Sequence, residues 1–474
     1  MESTPFYICG SWRTSLESRP VVNPYSLADV GRVAQASARD IEDAIAGAVE
    51  AFQKTRRLSS HERGEILSVI ARGVEEGKER FARLITSETG KPITSSRLEV
   101  ERAVFTLQTA SEEAKRLTGE VLPLDLAPNS GRRLGFVRRF PLGPVSGITP
   151  FNFPLNLVAH KVGPALAAGN TIVLKPSSSS PLVALALAEI VDGSPLPKGA
   201  FSVVPCLGGE ADQLVVDKRI KLISFTGSPA VGWGIKERAG KKRVLLELGG
   251  NAGVIVDEGG DLGFAVPRIL SGSFGNAGQS CIAVQRIFIH GSLFEEFLTA
   301  FVEGARSLPV GDPFDEKTVV GPMITEAAAR KVEGWIEEAS QAGARVLCGG
   351  KRRGAVLEPT VLVDVAPGMK VCAEEVFAPV VTVEAFADFS EALARVNNSR
   401  FGLQAGLFSD SMSHVMEAYE ELEVGGVIVN DVPTYRIDHM PYGGVKDSGL
   451  GREGVRYAIE EMTELKLLGM NILR

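Results

Sequence analysis

The chain is 474 residues long, 44% hydrophobic, with a formal net charge of −7. That length allows a large buried core divided into two or three domains, because single cores rarely grow past about 250 to 300 residues. Lysine and arginine are spread along the chain without a basic arm, which argues against nucleic acid as a partner. The five cysteines (Cys9, Cys206, Cys281, Cys348, Cys372) are odd in number, scattered and without a CxxC pair, and the five histidines (His61, His160, His290, His414, His439) show no close ligand spacing. Neither a disulfide framework nor a metal site is expected. The opening MESTPFYICGSWR has no basic segment leading into an apolar stretch. Apolar runs such as LVALALAEIV at 182–191 are too short to cross a bilayer, so a cytoplasmic location is expected.

From Asp40 to Arg116 apolar residues recur at three and four, in DIEDAIAGAVEAF and again in EILSVIARGVEEGKERFARLITSETG, which predicts helices with Gly90 as a stop. The segment LTGEVLPLDLAPNSGRRLGFVRRFPLG then alternates around a PNSG turn and predicts a long hairpin. From residue 143 strands and helices take turns: PVSGITP, the helix PLNLVAHKVGPALAAG, TIVLKP, the helix LVALALAEIV, FSVVPCL, KLISFTGS, a further helix and RVLLELGG. Short Val, Ile and Leu strands separated by helices imply a parallel sheet covered on both faces. After Gly250 a second series follows, with AGVIVD, QRIFIH, VVTVEAF, QAGLFS and GVIVND among helical stretches such as LFEEFLTAFVEGARSL. The fold class is α/β, with two such domains.

Ligands of parallel sheets bind at the carboxyl ends of the strands, so the residues just after each strand are the first candidates. They are Asn152 in FNFP, Lys175 before Pro176, Gly227 and Gly232 spaced as GxxxxG at a helix start, and Glu247 before Gly249 and Gly250. Singly each has a structural explanation as a turn, a solvated strand end, a helix cap or a surface acid. Cys281 stands apart: in FGNAGQSCIAVQR it follows Gly275, Ala277, Gly278 and Ser280, which let the backbone approach something closely and leave the sulfur accessible.

Taken in order, ITPFNFP, VLKPS, ISFTGS, LELGG, GQSC, EEVFAPV and PYGGVKDSGLGREG are the motifs of the aldehyde dehydrogenase superfamily, which this sequence resembles over nearly its whole length. The resemblance implies a Rossmann-like dinucleotide-binding domain over 1–118 and 142–249, and a catalytic domain over 250–447. It also implies a small β bridging element, over 119–141 and 448–474, that makes homodimers or homotetramers. It makes Cys281 the nucleophile toward the aldehyde carbon, Asn152 with the Cys281 backbone N–H the donors to the oxyanion, and Glu247 the base that activates water against the thioester. Lys175 is implied as a ligand of the adenosine ribose, Gly227 and Ser228 as the turn beside the cofactor, and Glu375 and Phe377 as holders of the nicotinamide ribose and ring. Relatives preferring NAD often carry Glu three positions after the lysine, where this chain has Ser178, so the cofactor is expected to be NAD or NADP.

For the substrate, His160 falls on the same helix face as Leu157, where the family lines its tunnel. Arg102 in LEVERAVF and Arg436 in PTYRIDH fall where relatives acting on charged aldehydes place anion anchors; the alternative is a pair of surface arginines in salt bridges. Ser280 occupies the position before the cysteine where phosphate-handling relatives usually have Arg. The expected activity is therefore oxidation of a small hydroxylated or anionic aldehyde to the acid. The alternatives are release of the thioester to CoA, or a binding protein that keeps the fold without turnover.

Overall fold

The computed structural model describes residues 2–472. Its first large sheet has eight strands in the order Gly449–Leu450, Arg243–Glu247, Leu222–Thr226, Pro144–Ile148, Thr171–Lys175, Phe201–Val203, Phe6–Ile8, Ser11–Arg13. The middle five are parallel. Numbered along the chain they run 5-4-1-2-3, so the order reverses between Pro144–Ile148 and Leu222–Thr226, the place where open α/β sheets leave a crevice. Helices cover this sheet. Ala38–Thr55 and Ser60–Glu76 each open with a capping box, Ser37 with Asp40 and Ser59 with Glu62, and Lys78–Thr89 ends at Gly90 in the left-handed region (φ 70°). Every residue of the helix Asn156–Ala168 is buried, which places its His160 and Lys161 in the interior.

The second sheet has seven strands, ordered Arg345–Cys348, Thr360–Val363, Val380–Phe386, Val284–His290, Ala252–Val256, Gln404–Phe408, Gly426–Val429, all parallel except the first. Its core is separate from that of the first sheet and centres on Val254, Ile287, Phe297 and Phe301. A third, antiparallel sheet joins the predicted hairpin, Glu120–Pro123 with Arg133–Pro141, to the strand Thr463–Asn471.

Two features differ from the sequence reading. The strands Phe6–Ile8 and Ser11–Arg13 extend the first sheet from a region for which only the later helices were expected. Among the described residues of 448–472, the strand that joins the hairpin is Thr463–Asn471. Gly449 and Leu450 pair with Arg243–Glu247, and the helix Val455–Glu461 packs on Asn156–Ala168, because its Val455 and Ile459 belong to the core of the first sheet.

Candidate active site

A cavity of about 650 Å³ is lined from one side by residues that follow the strands of the first sheet and from the other by the loop before Val284–His290. Cys281 lies in that loop, partly exposed. The preceding turn Gly275–Gly278 holds Asn276 and Ala277 at left-handed φ values of 52° and 53°. Such conformations cost non-glycine residues about 1 kcal/mol or more each and persist only where the surroundings fix them. The fixing is visible. Gln279 donates from Nε2 to the carbonyls of Asn276 and Pro322 and accepts at Oε1 from the Ile324 N–H at 2.8 Å. A Cβ on Gly278 would stand 2.1 Å from the Ala378 carbonyl oxygen, and one on Gly250 would stand 2.0 Å from the Cys281 carbonyl oxygen. The Cys281 peptide therefore runs directly against the chain that leaves Glu247.

Asn152 is 6% exposed; its Nδ2 donates to the Gln279 carbonyl at 3.0 Å, which leaves the second N–H of the amide for another acceptor. Glu247 ends its strand inside the protein, with Oε2 unpaired among the described residues. Burial, and after it the nearby Glu453, pushes the Glu247 carboxyl well above its ordinary value, against the pull of Arg436, Lys161 and Arg452. Glu453 behaves oppositely: burial would raise it, but Lys161, His160 and Arg436 hold it down at about 2. Lys161 donates to Ser224 Oγ at 3.0 Å, Thr226 Oγ1 at 2.8 Å and Glu453 Oε1 at 3.2 Å. Of these two buried acids, Glu453 is the fixed anion and Glu247 the one that readily holds a proton.

Arg102 and Arg436 both line the cavity, and both are already paired. Arg102 binds Asp438 through Nε and Nη2, while Arg436 donates from Nη2 to Glu453 Oε2 at 3.1 Å. Asp438, 2% exposed, also accepts from Asn156 Nδ2 at 3.0 Å and lies 2.8 Å from His160 Nε2. Burial would raise its carboxyl, yet His160 and Arg102 hold it far below the ordinary range. This corrects the expectation for His160. The ring is 1% exposed and turned onto Asp438 and away from the cavity, where it stands behind the arginines. Burial and Arg436 keep its ionisation below its ordinary value, against the pull of Asp438 and Glu453.

Tyr442, 2% exposed, places its hydroxyl 3.0 Å from the Cys281 Sγ, and the Arg436 guanidinium lies 3.6 Å above its ring. Glu375 accepts at Oε1 from the Gly250 N–H at 3.0 Å, and burial raises its carboxyl to about 7. Phe377 lines the cavity with a left-handed φ of 52° and meets Phe151 edge-on at 6.1 Å between centroids. Gly227 and Ser228 also line it, at the start of the helix Pro229–Arg238. Lys175 and Ser178 lie apart from this wall, at the end of Thr171–Lys175 and in the exposed turn that follows.

Lys161, Asp438, Tyr442 and Glu453 are among the charged and polar members of the site that carry no role in the sequence reading. One signal is available for Lys161, which with His160 interrupts the apolar run LVAHKVGPALAA. Tyr442 and Glu453 stand inside PYGGVKDSGLGREG.

Residues 12–468 match the aldehyde dehydrogenase family model. The chain is 45% identical to a 3-sulfolactaldehyde dehydrogenase of Priestia aryabhattai over 467 residues, 98% of each chain. It is similar in structure to aldehyde dehydrogenase 21 of Physcomitrella patens in complex with the reaction product succinate, with a TM-score of 0.98, 44% identity and 99% of both chains covered. It is also similar to the glyceraldehyde-3-phosphate dehydrogenase GapN of Methanocaldococcus jannaschii complexed with NADP, with a TM-score of 0.92, 40% identity, and 97% of this chain and 100% of that one covered.

Proposed function

The chain belongs to the aldehyde dehydrogenase family and is an NAD(P)-dependent oxidoreductase, and from that premise we propose that Cys281, Asn152 and Glu247 oxidise a small anionic or hydroxylated aldehyde to its acid. The observation that carries the substrate class is that Arg102 and Arg436 line the same cavity as Cys281. The Priestia relative is named for a sulfonated aldehyde, and the Physcomitrella structure holds succinate, a dicarboxylate. An acidic tail on the substrate is common to both.

Cys281 attacks the aldehyde carbon as a thiolate, and the oxygen takes up negative charge. The free N–H of Asn152 Nδ2, with the Cys281 backbone N–H, donates to it; one such donor contributes about 3 to 4 kcal/mol to the transition state. A nicotinamide held by Glu375 and Phe377 would supply the acceptor for the hydride that the carbon gives up as the thioester forms. Glu247, once deprotonated, takes a proton from water as that water adds to the thioester; the C–S bond then breaks, Cys281 leaves as the thiolate and the acid is released. Glu453, fixed as an anion by Lys161 and Arg436, keeps Glu247 basic enough for this step.

The residues present suit a dinucleotide. The helix Pro229–Arg238 begins without a side-chain cap at the cavity wall, leaving backbone N–H groups for a pyrophosphate. Lys175 Nζ meets the Pro176 carbonyl at 3.3 Å and pairs with no carboxylate among the described residues, so its donors suit ribose hydroxyls. Glu375 and Phe377 would hold the nicotinamide end, and Ser178 leaves room for a 2′-phosphate. A homodimer or homotetramer built through the three-stranded sheet fits the exposed Leu465, Leu467 and Leu468, and no helix among the described residues is long and apolar enough to cross a membrane, which suits a cytoplasmic enzyme.

The test is a panel of three-carbon and four-carbon aldehydes bearing a sulfonate, carboxylate, hydroxyl or methyl end, assayed with NAD and with NADP by the absorbance of reduced nicotinamide. Anionic and hydroxylated members should have the higher kcat/KM. Preference for the plain alkyl aldehydes would refute the substrate class, and thioester release that requires CoA would refute hydrolysis.

A further inference from the structure

The sulfur of Cys281 sits in surroundings that oppose its ionisation. Burial pushes the thiol up to about 12, and the carboxylates of Glu375 and Glu247 add to that push. Reactive cysteines elsewhere lean on a cation, a helix terminus or a metal to hold the thiolate. The charged and titratable groups facing this one are Tyr442, Glu375, Arg436 and Glu247. Arg436 is engaged with Glu453 and stacked on the Tyr442 ring, so the group in contact with the sulfur is the phenol hydroxyl, at 3.0 Å.

We propose that Tyr442 is a catalytic residue that donates its O–H to the Cys281 thiolate, with Arg436 strengthening that donor through the face of the ring. The inference rests on the reading of Cys281 as the nucleophile. Three observations support it. The ring is fixed: the Tyr442 N–H donates to the Glu453 carbonyl at 3.0 Å and the Glu453 N–H donates back to the Tyr442 carbonyl at 2.6 Å, so the hydroxyl is aimed by the backbone. A guanidinium 3.6 Å above the ring draws on its π density and makes the phenol O–H a stronger donor. The hydroxyl also keeps its own proton, because burial and the neighbouring Cys281 raise its ionisation well above the ordinary value. With the neutral thiol either group can donate, but opposite a thiolate only the O–H can. When Cys281 ionises, the thiol proton leaves to water in the cavity and the phenol proton stays in place. As the sulfur lone pair forms the C–S bond to the aldehyde, the hydroxyl is released from it, and no proton passes through Tyr442.

Tyr442→Phe removes the hydroxyl and keeps the ring under Arg436. The measurement is the rate of alkylation by iodoacetamide against pH on the full-length protein, with the modified cysteine identified by peptide mapping. Wild type and variant should both be modified at Cys281. The variant's pH midpoint should lie higher by about 1, a roughly tenfold slower reaction near neutral pH, as expected for loss of one hydrogen bond to a charged group. Affinity for NADP should hold, which a general loss of structure would not allow. Arg436→Met should raise the midpoint too, and by less in the Tyr442→Phe background than in wild type, since part of its action passes through the phenol. An unchanged midpoint in Tyr442→Phe overturns the proposal. Preferential modification of another cysteine would instead remove Cys281 as the nucleophile, and Tyr442 with it.

Discussion

The Arg102 guanidinium meets the Asp438 carboxylate in a two-pronged pair, with Nε to Oδ2 at 3.0 Å and Nη2 to Oδ1 at 2.7 Å, at the wall of the cavity that holds Cys281. A guanidinium held this way has a fixed direction, and a substrate anion would meet its remaining N–H groups, on Nη1, without first having to order a flexible side chain. Arg102→Met keeps much of the apolar stem and removes the guanidinium. The kcat/KM for a carboxylated aldehyde should fall roughly ten- to hundredfold, the effect of about 1.5 to 3 kcal/mol for a hydrogen bond to a charged group, while propanal is unaffected. Steady-state kinetics on both substrates checks this; an equal loss on both would make Arg102 purely structural.

Asp438→Asn leaves Arg102 without the carboxylate it pairs with. Breaking a buried pair from one side should lower stability by about 3 kcal/mol. The sign with pH follows from the direction of the Asp438 shift. Its carboxyl lies below the ordinary value of 3.8 in the folded state, so its contribution is complete above that value and is lost progressively as pH falls below it toward the folded value. Urea unfolding followed over the acid range should show a shallower loss of stability in the variant than in wild type.

Glu247→Gln should leave the first turnover intact and stall the next, since only attack on the thioester needs the base. Rapid mixing should show a burst of reduced cofactor followed by a steady state slower by roughly a hundredfold or more. In wild type the steady-state rate should rise with pH to a midpoint above the ordinary 4.5 of a glutamate, because burial and Glu453 both favour the protonated form. Glu453→Gln removes one of those causes and should move the midpoint down. A burst lost in Glu247→Gln would assign Glu247 an earlier step.

Ser178→Glu adds a carboxylate in the exposed turn after Lys175. It should accept from a 2′-hydroxyl and repel a 2′-phosphate, raising the ratio of kcat/KM for NAD over NADP by roughly tenfold or more. An unmoved ratio would show that this turn does not face the ribose.

The parallel strands were legible because each is a Val, Ile or Leu run closed by turn residues, as in TIVLKP and KLISFTGS. Phe6–Ile8 and Gly449–Leu450 were not, since two or three residues carry no period and their pairing is decided by partners far along the chain. Asn152, Glu247 and Cys281 stood out because short ordered motifs surround them. Nothing local to RIDH or GREG marks Asp438 or Glu453 as interior; their partners, His160 and Lys161, stand 278 and 292 residues away. The helix face of His160 predicts a place in the tunnel. That face is buried along its whole length, so the periodicity could not tell cavity from carboxylate.

The charged residues around the cavity have an arithmetic of their own. Within the cluster formed by Arg102, Lys161, Arg436, Asp438 and Glu453, three cations oppose two anions, so this cluster taken with Glu247 carries one surplus positive charge while Glu247 is protonated and none after Glu247 ionises. A singly anionic aldehyde is attracted by the first state, and its oxidation adds a second negative charge to the molecule that must depart. The same proton whose loss readies the base thereby weakens the hold on the product. Inhibition by the acid product should relax as pH rises through the Glu247 midpoint, so that turnover and release are governed by one titration.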